Sequence, residues 1–169
     1  MPRSRRDFLK QSTLFAFAVT QAPTLPATAA RARTPYRVFN PSQVRVLEGL
    51  GEALVPGSKK AGLAHFIDIQ LSSPPADSLL MIKYLGVNPP YTAFYQSGLE
   101  AAARHPDVPA LLQAMAKDAI PGWTGPPAPL FYFVLRNDAV DVVYGTIKGY
   151  ESLGVPYMAH IPPPPGWGA

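Results

Sequence analysis

The most apolar stretch of the chain beyond residue 30 reads Leu130-Phe131-Tyr132-Phe133-Val134-Leu135. A second apolar stretch, from Ala139 to Val143, follows after a few polar residues. Such a segment is compatible with one long helix or with a buried strand. Its length and the helical patterns around it favour the helix, which Tyr144-Gly145 would end. We therefore predict an all-α protein, a small irregular helical domain.

Shorter helical segments are predicted on both sides of this long helix, at 41–54, 62–72, 79–85, 91–104, 108–120 and 148–153. The first has the clearest start signal: Asn40 suits the N-cap, Pro41 the first helical position and Gln43 the N3 position of a capping box. Many of the 21 prolines lie between these segments, where they separate one helix from the next.

Composition excludes several classes of protein. With 47% hydrophobic and 15% charged residues, the 169-residue chain can bury the core of one domain. It has no cysteine, which excludes disulfides, thiolate zinc sites, iron–sulfur clusters, covalently attached haem c and cysteine nucleophiles. We expect no cofactor and no metal in this chain.

The net charge of +4 is concentrated at the amino terminus. Residues 1–29 hold four basic residues and one acid, which leaves 11 basic and 10 acidic residues in the rest. Because no basic surface remains to follow a phosphate backbone, we expect no binding to nucleic acid.

The amino terminus has the pattern of a twin-arginine export signal, S-R-R-x-F-L-K, over residues 4–10. Its characteristic residues are Arg5, Arg6, Phe8, Leu9 and Lys10. An apolar run at 14–19, too short to span a bilayer, and an Ala-Thr-Ala cleavage site at 27–29 complete the signal. We predict a signal peptide (1–29), a linker (30–38), a helical domain (39–154) and an extended proline-rich arm (155–169). The expected location is the periplasm.

Two pairs of polar residues could support chemistry. His65 and Asp68 would share a helix face, either as a metal or acid–base pair or as packing and surface residues. Asp138 and Asp141 could act as paired carboxylates, or else cap a helix or form ion pairs with Arg136 or Lys148.

The remaining candidates are weaker. His105 lies at a helix end, where a cation interacts favourably with the helix dipole. No serine lies in a nucleophile-elbow context. We therefore predict no catalytic residue.

Aromatic residues and prolines are concentrated near the carboxyl terminus. Aromatic side chains are common anchors in protein interfaces. The segment could bind a partner or cover the domain's own core, and we favour a partner. The predicted interface residues are Tyr144, Tyr150, Tyr157, His160 and Trp167.

Several short segments resemble the gluconate 2-dehydrogenase subunit 3 family. They are the signal, the helix from Phe39 to Gly57, and the segments 61–68, 95–99, 141–145, 149–150 and 154–157. The chain departs from the family in a shorter middle and in Tyr144-Gly145-Thr146, where the family usually has Tyr-Gly-Gly.

This resemblance implies a non-catalytic small subunit of a periplasmic, FAD-dependent dehydrogenase of the glucose–methanol–choline type. The partner flavoprotein would carry FAD and the catalytic residues, and a c-type cytochrome subunit with haem c often takes the electrons. Through such a complex the chain could be associated with the membrane. The small subunit would assist maturation of the flavoprotein and its export by the twin-arginine translocase. The substrate stays open among gluconate, other sugar acids, free sugars and glycosides.

Two alternatives remain. The chain could be a stand-alone exported enzyme or ligand-binding module that uses His65, Asp68 or His160. It could also be a structural adaptor of the cell envelope with no redox partner.

Overall fold

The computed structural model describes residues 35–154. Eight α-helices and a 3₁₀ turn at Pro75–Asp77 form this part, and it contains no β-strand, which confirms the all-α prediction. The helices are α1 (Pro41–Leu54), α2 (Ser58–Ala61), α3 (Leu63–Ser72), α4 (Met81–Tyr84), α5 (Thr92–Ala102), α6 (Val108–Ala116), α7 (Ala128–Tyr144) and α8 (Ile147–Ser152). The signal peptide, most of the linker and the arm lie outside the described residues.

The predicted capping box starts α1. The Asn40 side chain accepts a hydrogen bond from the Gln43 backbone N–H at 2.9 Å, and the Gln43 side chain accepts one from the Asn40 N–H at 3.1 Å. Pro41 occupies the first helical position, where its missing N–H costs no hydrogen bond. Two donors that a helix start would otherwise leave unpaired are thereby satisfied.

Helix α7 is the centre of the described fold and packs against all seven other helices there. One face, at helical spacing, is buried and comprises Phe131, Val134, Leu135, Asp138 and Ala139. The apolar stretch at 130–143 is therefore one continuous helix that the surrounding short helices cover. None of the described helices is long and apolar enough to cross a bilayer.

Several boundaries differ from the predictions. Helix α7 begins at Ala128, two residues before the apolar stretch that starts at Leu130, because Pro129 fits the first turn of a helix. Helix α2 was not predicted; it has four residues and lies between Gly57 and Gly62, which both have a φ of 91°. Helix α6 ends at Ala116, four residues early, since Asp118 adopts a positive φ of 53°.

Candidate functional site

The Asp68 carboxylate fixes the segment that precedes α1. Its Oδ2 accepts the Arg37 N–H at 2.8 Å, and its Oδ1 accepts the N–H groups of Val38 at 2.9 Å and Phe39 at 3.0 Å. Asp68 is only 3% exposed. One buried carboxylate on α3 therefore satisfies three consecutive backbone donors, an arrangement that we call the Asp68 anchor.

His65, one turn before Asp68, contacts the same segment. The Tyr36 hydroxyl and His65 Nδ1 are 3.1 Å apart, and the two rings are tilted by 36° with centroids 4.4 Å apart. Partial burial, with smaller contributions from Glu48 and Asp68, raises the pKa of Tyr36. His65 and Asp68 thus share a face, as predicted, and that face binds residues 36–39.

A contact from α5 completes the attachment. The Gln96 side-chain amide donates to the Val38 carbonyl at 3.2 Å. Two helices distant in sequence, α3 and α5, therefore hold the four residues that lead into α1. No sequence pattern predicted this role for Asp68, because its partners lie about 30 residues upstream and are backbone groups.

A second carboxylate, Asp138, lies in the core and is fully buried. Its Oδ2 accepts the Tyr95 hydroxyl at 2.6 Å, and its Oδ1 accepts the Met81 N–H at the start of α4, at 2.9 Å. The predicted ion pair with Arg136 or Lys148 is therefore wrong for Asp138, because its partners are a neutral phenol and a backbone amide. The capping alternative is closer, since Asp138 binds the first N–H of α4.

Burial governs the protonation of this pair. Desolvation raises the pKa of Asp138 to about 7, against the two hydrogen bonds that favour its charged form. Desolvation and the adjacent carboxylate raise the pKa of Tyr95 well above its usual value. Neither the Tyr95 nor the Asp138 side chain has exposed surface, so no substrate can reach this pair. Asp141, three residues after Asp138, lies at the exposed surface instead.

The other polar candidates have local roles. The Ser97 hydroxyl donates to the Ala93 carbonyl within α5, and the Ser152 hydroxyl donates to the Gly149 carbonyl within α8. His105 follows α5, with its ring centroid 6.4 Å from that of Trp123. Within residues 35–154 the structure brings no group of three or more His, Asp or Glu side chains together that could hold a metal ion.

Two of the predicted partner-interface residues lie in the described part. Tyr144 is the last residue of α7 and Tyr150 lies in α8, and both are partly buried. The Thr146 side chain caps α8 by accepting the Gly149 N–H at 3.0 Å. Tyr157, His160 and Trp167 lie outside the described residues, as do Arg5, Arg6, Phe8, Leu9 and Lys10.

A surface groove between α1 and α6 was not predicted from the sequence. Two adjoining cavities of about 210 and 500 Å³ form it, and a third cavity of about 250 Å³, lined by residues 104–107, α6 and residues 119–121, adjoins the first. The first and second share Arg45, Gly49 and Val108, and the first and third share His105, Pro106 and Leu111. Two glycines, Gly49 and Gly51, lie in the interior of α1, and only Gly49 lines the groove.

The comparisons with known proteins add no assignment to this geometry. No family model, no curated protein and no solved structure matches the chain.

Proposed function

We propose that the chain is the non-catalytic small subunit of a periplasmic FAD-dependent dehydrogenase of the glucose–methanol–choline type. In this proposal it assists maturation of the flavoprotein subunit, supplies the twin-arginine signal for its export and stays bound in the periplasm. FAD belongs to the flavoprotein. The substrate is a sugar, a sugar acid or a glycoside, and haem c, where present, belongs to a further subunit.

The observation that carries this proposal is the Asp68 anchor. One pair of residues considered for chemistry, His65 and Asp68, binds the Tyr36 side chain and the backbone of residues 37–39. Residues 36–38 are the end of the predicted linker, and the structure attaches them to the helical domain, so the domain holds its own amino-terminal segment. This supports a domain that folds before export.

A second observation supports a role without catalysis. Asp138, the other carboxylate considered for acid–base chemistry, is enclosed with Tyr95 in the core and connects α7 to α5 and α4. Both candidate acids therefore contribute to folding. The resemblance to the small-subunit family and the export signal point in the same direction.

Co-purification tests the proposal. Tagged full-length protein is isolated from its native host, and the absorbance spectrum of the eluate is recorded. We expect a larger polypeptide to co-elute with flavin absorbance, and the eluate to reduce a dye when a sugar or sugar acid is supplied. A colourless protein that elutes alone would contradict the proposal and favour a stand-alone module.

A further inference from the structure

The groove between α1 and α6 has an apolar, small-residue floor and charged edges. We call it the α1–α6 groove; the residues used below are Arg45, Glu48, Gly49, Glu52, Arg104 and Asp107. The first cavity shares lining residues with each of the other two, so the three adjoin one another at the surface. Small molecules usually bind in pockets that enclose most of their surface, whereas polypeptide segments bind in open grooves. This open groove therefore fits a polypeptide segment better.

Gly49 gives the first argument that another molecule occupies this groove. It lies in the interior of α1, where glycine is less favourable than nearly every other residue. A Cβ atom at this position would meet nothing within 4 Å. The packing of this domain therefore does not require a glycine there, whereas a molecule lying close against α1 would.

The acidic side chains beside the groove already form ion pairs or hydrogen bonds within the domain. Glu48 forms an ion pair with Lys59 at 3.1 Å. Glu52 accepts the backbone N–H groups of Gly57 at 2.8 Å and Lys59 at 3.1 Å. Asp107 caps α6 by accepting the Ala110 N–H at 3.0 Å. All three carboxylates thus already have donors.

Two cations beside the groove have no carboxylate partner in the described part of the chain. Arg104 donates to the neutral Thr124 hydroxyl at 3.0 Å. Arg45, which lines two of the three cavities, makes no side-chain hydrogen bond or ion pair within residues 35–154. Arg45 therefore offers one unpaired positive charge beside an apolar floor, which complements a segment with apolar side chains and a carboxylate.

We propose that the α1–α6 groove binds a segment of the partner flavoprotein that carries apolar side chains and a carboxylate, with the carboxylate at Arg45. This inference rests on the proposed function and deepens it, because it locates a contact surface on the small subunit. The surface is additional to the interface predicted from the aromatic residues near the carboxyl terminus.

The test compares variants in the co-purification assay. Gly49→Gln adds a side chain over the groove floor, and Arg45→Glu reverses the charge. Ala93→Gln is the matched control, because Ala93 is exposed on α5 and does not line the groove. The readout is flavin absorbance recovered per tagged chain, together with the melting temperature and the elution volume of each isolated variant.

We expect Gly49→Gln and Arg45→Glu to reduce the recovered flavin about tenfold, and Ala93→Gln to retain it. Gly49→Gln should at the same time raise the melting temperature by about 3–5 °C, since it removes a glycine from a helix interior. Weaker binding by a more stable protein cannot result from misfolding.

Three outcomes would overturn the inference. If the parent chain recovers flavin and Gly49→Gln recovers as much, the partner does not use the groove, although the proposed function stands. If the isolated chain is a dimer that Gly49→Gln makes monomeric, the occupant is a second copy. If the parent chain recovers no flavoprotein, the proposed function itself is wrong and the inference falls with it.

Discussion

Asp68 satisfies three backbone donors with one carboxylate and so connects residues 37–39 directly to α3. A buried N–H group without an acceptor is costly, because it has lost its hydrogen bond to water. The stability of the amino-terminal segment should therefore depend on this residue more than on its neighbour His65, whose contact with the segment is made to the Tyr36 side chain.

The first prediction concerns Asp68→Asn. The amide offers one acceptor oxygen instead of two and directs its own donors at backbone N–H groups, so we expect a loss of about 2–4 kcal/mol in the free energy of unfolding. Urea denaturation measures the loss, and amide hydrogen exchange should accelerate at 37–39. His65→Ala is the comparison, with an expected loss of about 1 kcal/mol. Equal losses in both variants would contradict the anchor.

The second prediction concerns pH. Burial raises the pKa of Asp138 to about 7, above the value of about 3.9 for an unfolded aspartate. The folded protein therefore holds this proton more tightly than the unfolded chain. The resulting stabilisation is complete below the unfolded pKa and is lost as the pH rises through about 7.

Between pH 5 and pH 8 we expect the free energy of unfolding to fall by about 2–3 kcal/mol through this group. Asp138→Asn, which does not titrate, should remove most of that decrease. Denaturation curves across the range, for the parent and the variant, provide the measurement. An unchanged slope in the variant would show that Asp138 is not responsible.

At the scale of helices, the packing of α5 on α7 depends on Gly98. The ring of Phe131 lies against it so closely that an added Cβ atom would come within 2.6 Å of Cδ2 and 2.7 Å of Cζ. Phe131 is fully buried and has little room to move. Gly49 in α1 is the opposite case, since a Cβ atom there would meet open space.

The third prediction uses these two glycines as a matched pair. Gly98→Ala should lower the free energy of unfolding by about 1–3 kcal/mol, because steric overlap with Phe131 outweighs the gain in helix propensity. Gly49→Ala should raise it by up to about 1 kcal/mol. Chemical denaturation of both variants gives the sign of each effect. Stabilisation by Gly98→Ala would show that the two helices pack less closely than described.

The helices were predictable where local signals were strong, and the contacts between them were not. The capping box at Asn40 and the apolar spacing of α1 act over a few residues, so the sequence shows them directly. The contact between Asp138 and Met81 joins residues 57 apart. Only the folded packing of α4 on α7 brings them together, and the same holds for the α1–α6 groove.

At the scale of the whole molecule, charge separates the signal from the rest. Residues 30–169 hold 11 basic and 10 acidic residues, so long-range electrostatic attraction has little part in binding a partner. Affinity should instead rest on apolar contacts, with single charges such as Arg45 orienting the complex. Because few charges take part, the affinity for the flavoprotein should depend only weakly on salt concentration.

The most direct test of the central claim replaces both Arg5 and Arg6 with lysine in the native host. Flavin-dependent dye reduction is then measured in the periplasmic and cytoplasmic fractions. If this chain exports its partner, the dehydrogenase activity should remain in the cytoplasm, while the helical domain keeps its melting temperature. Normal periplasmic activity in this double variant would contradict the proposed role.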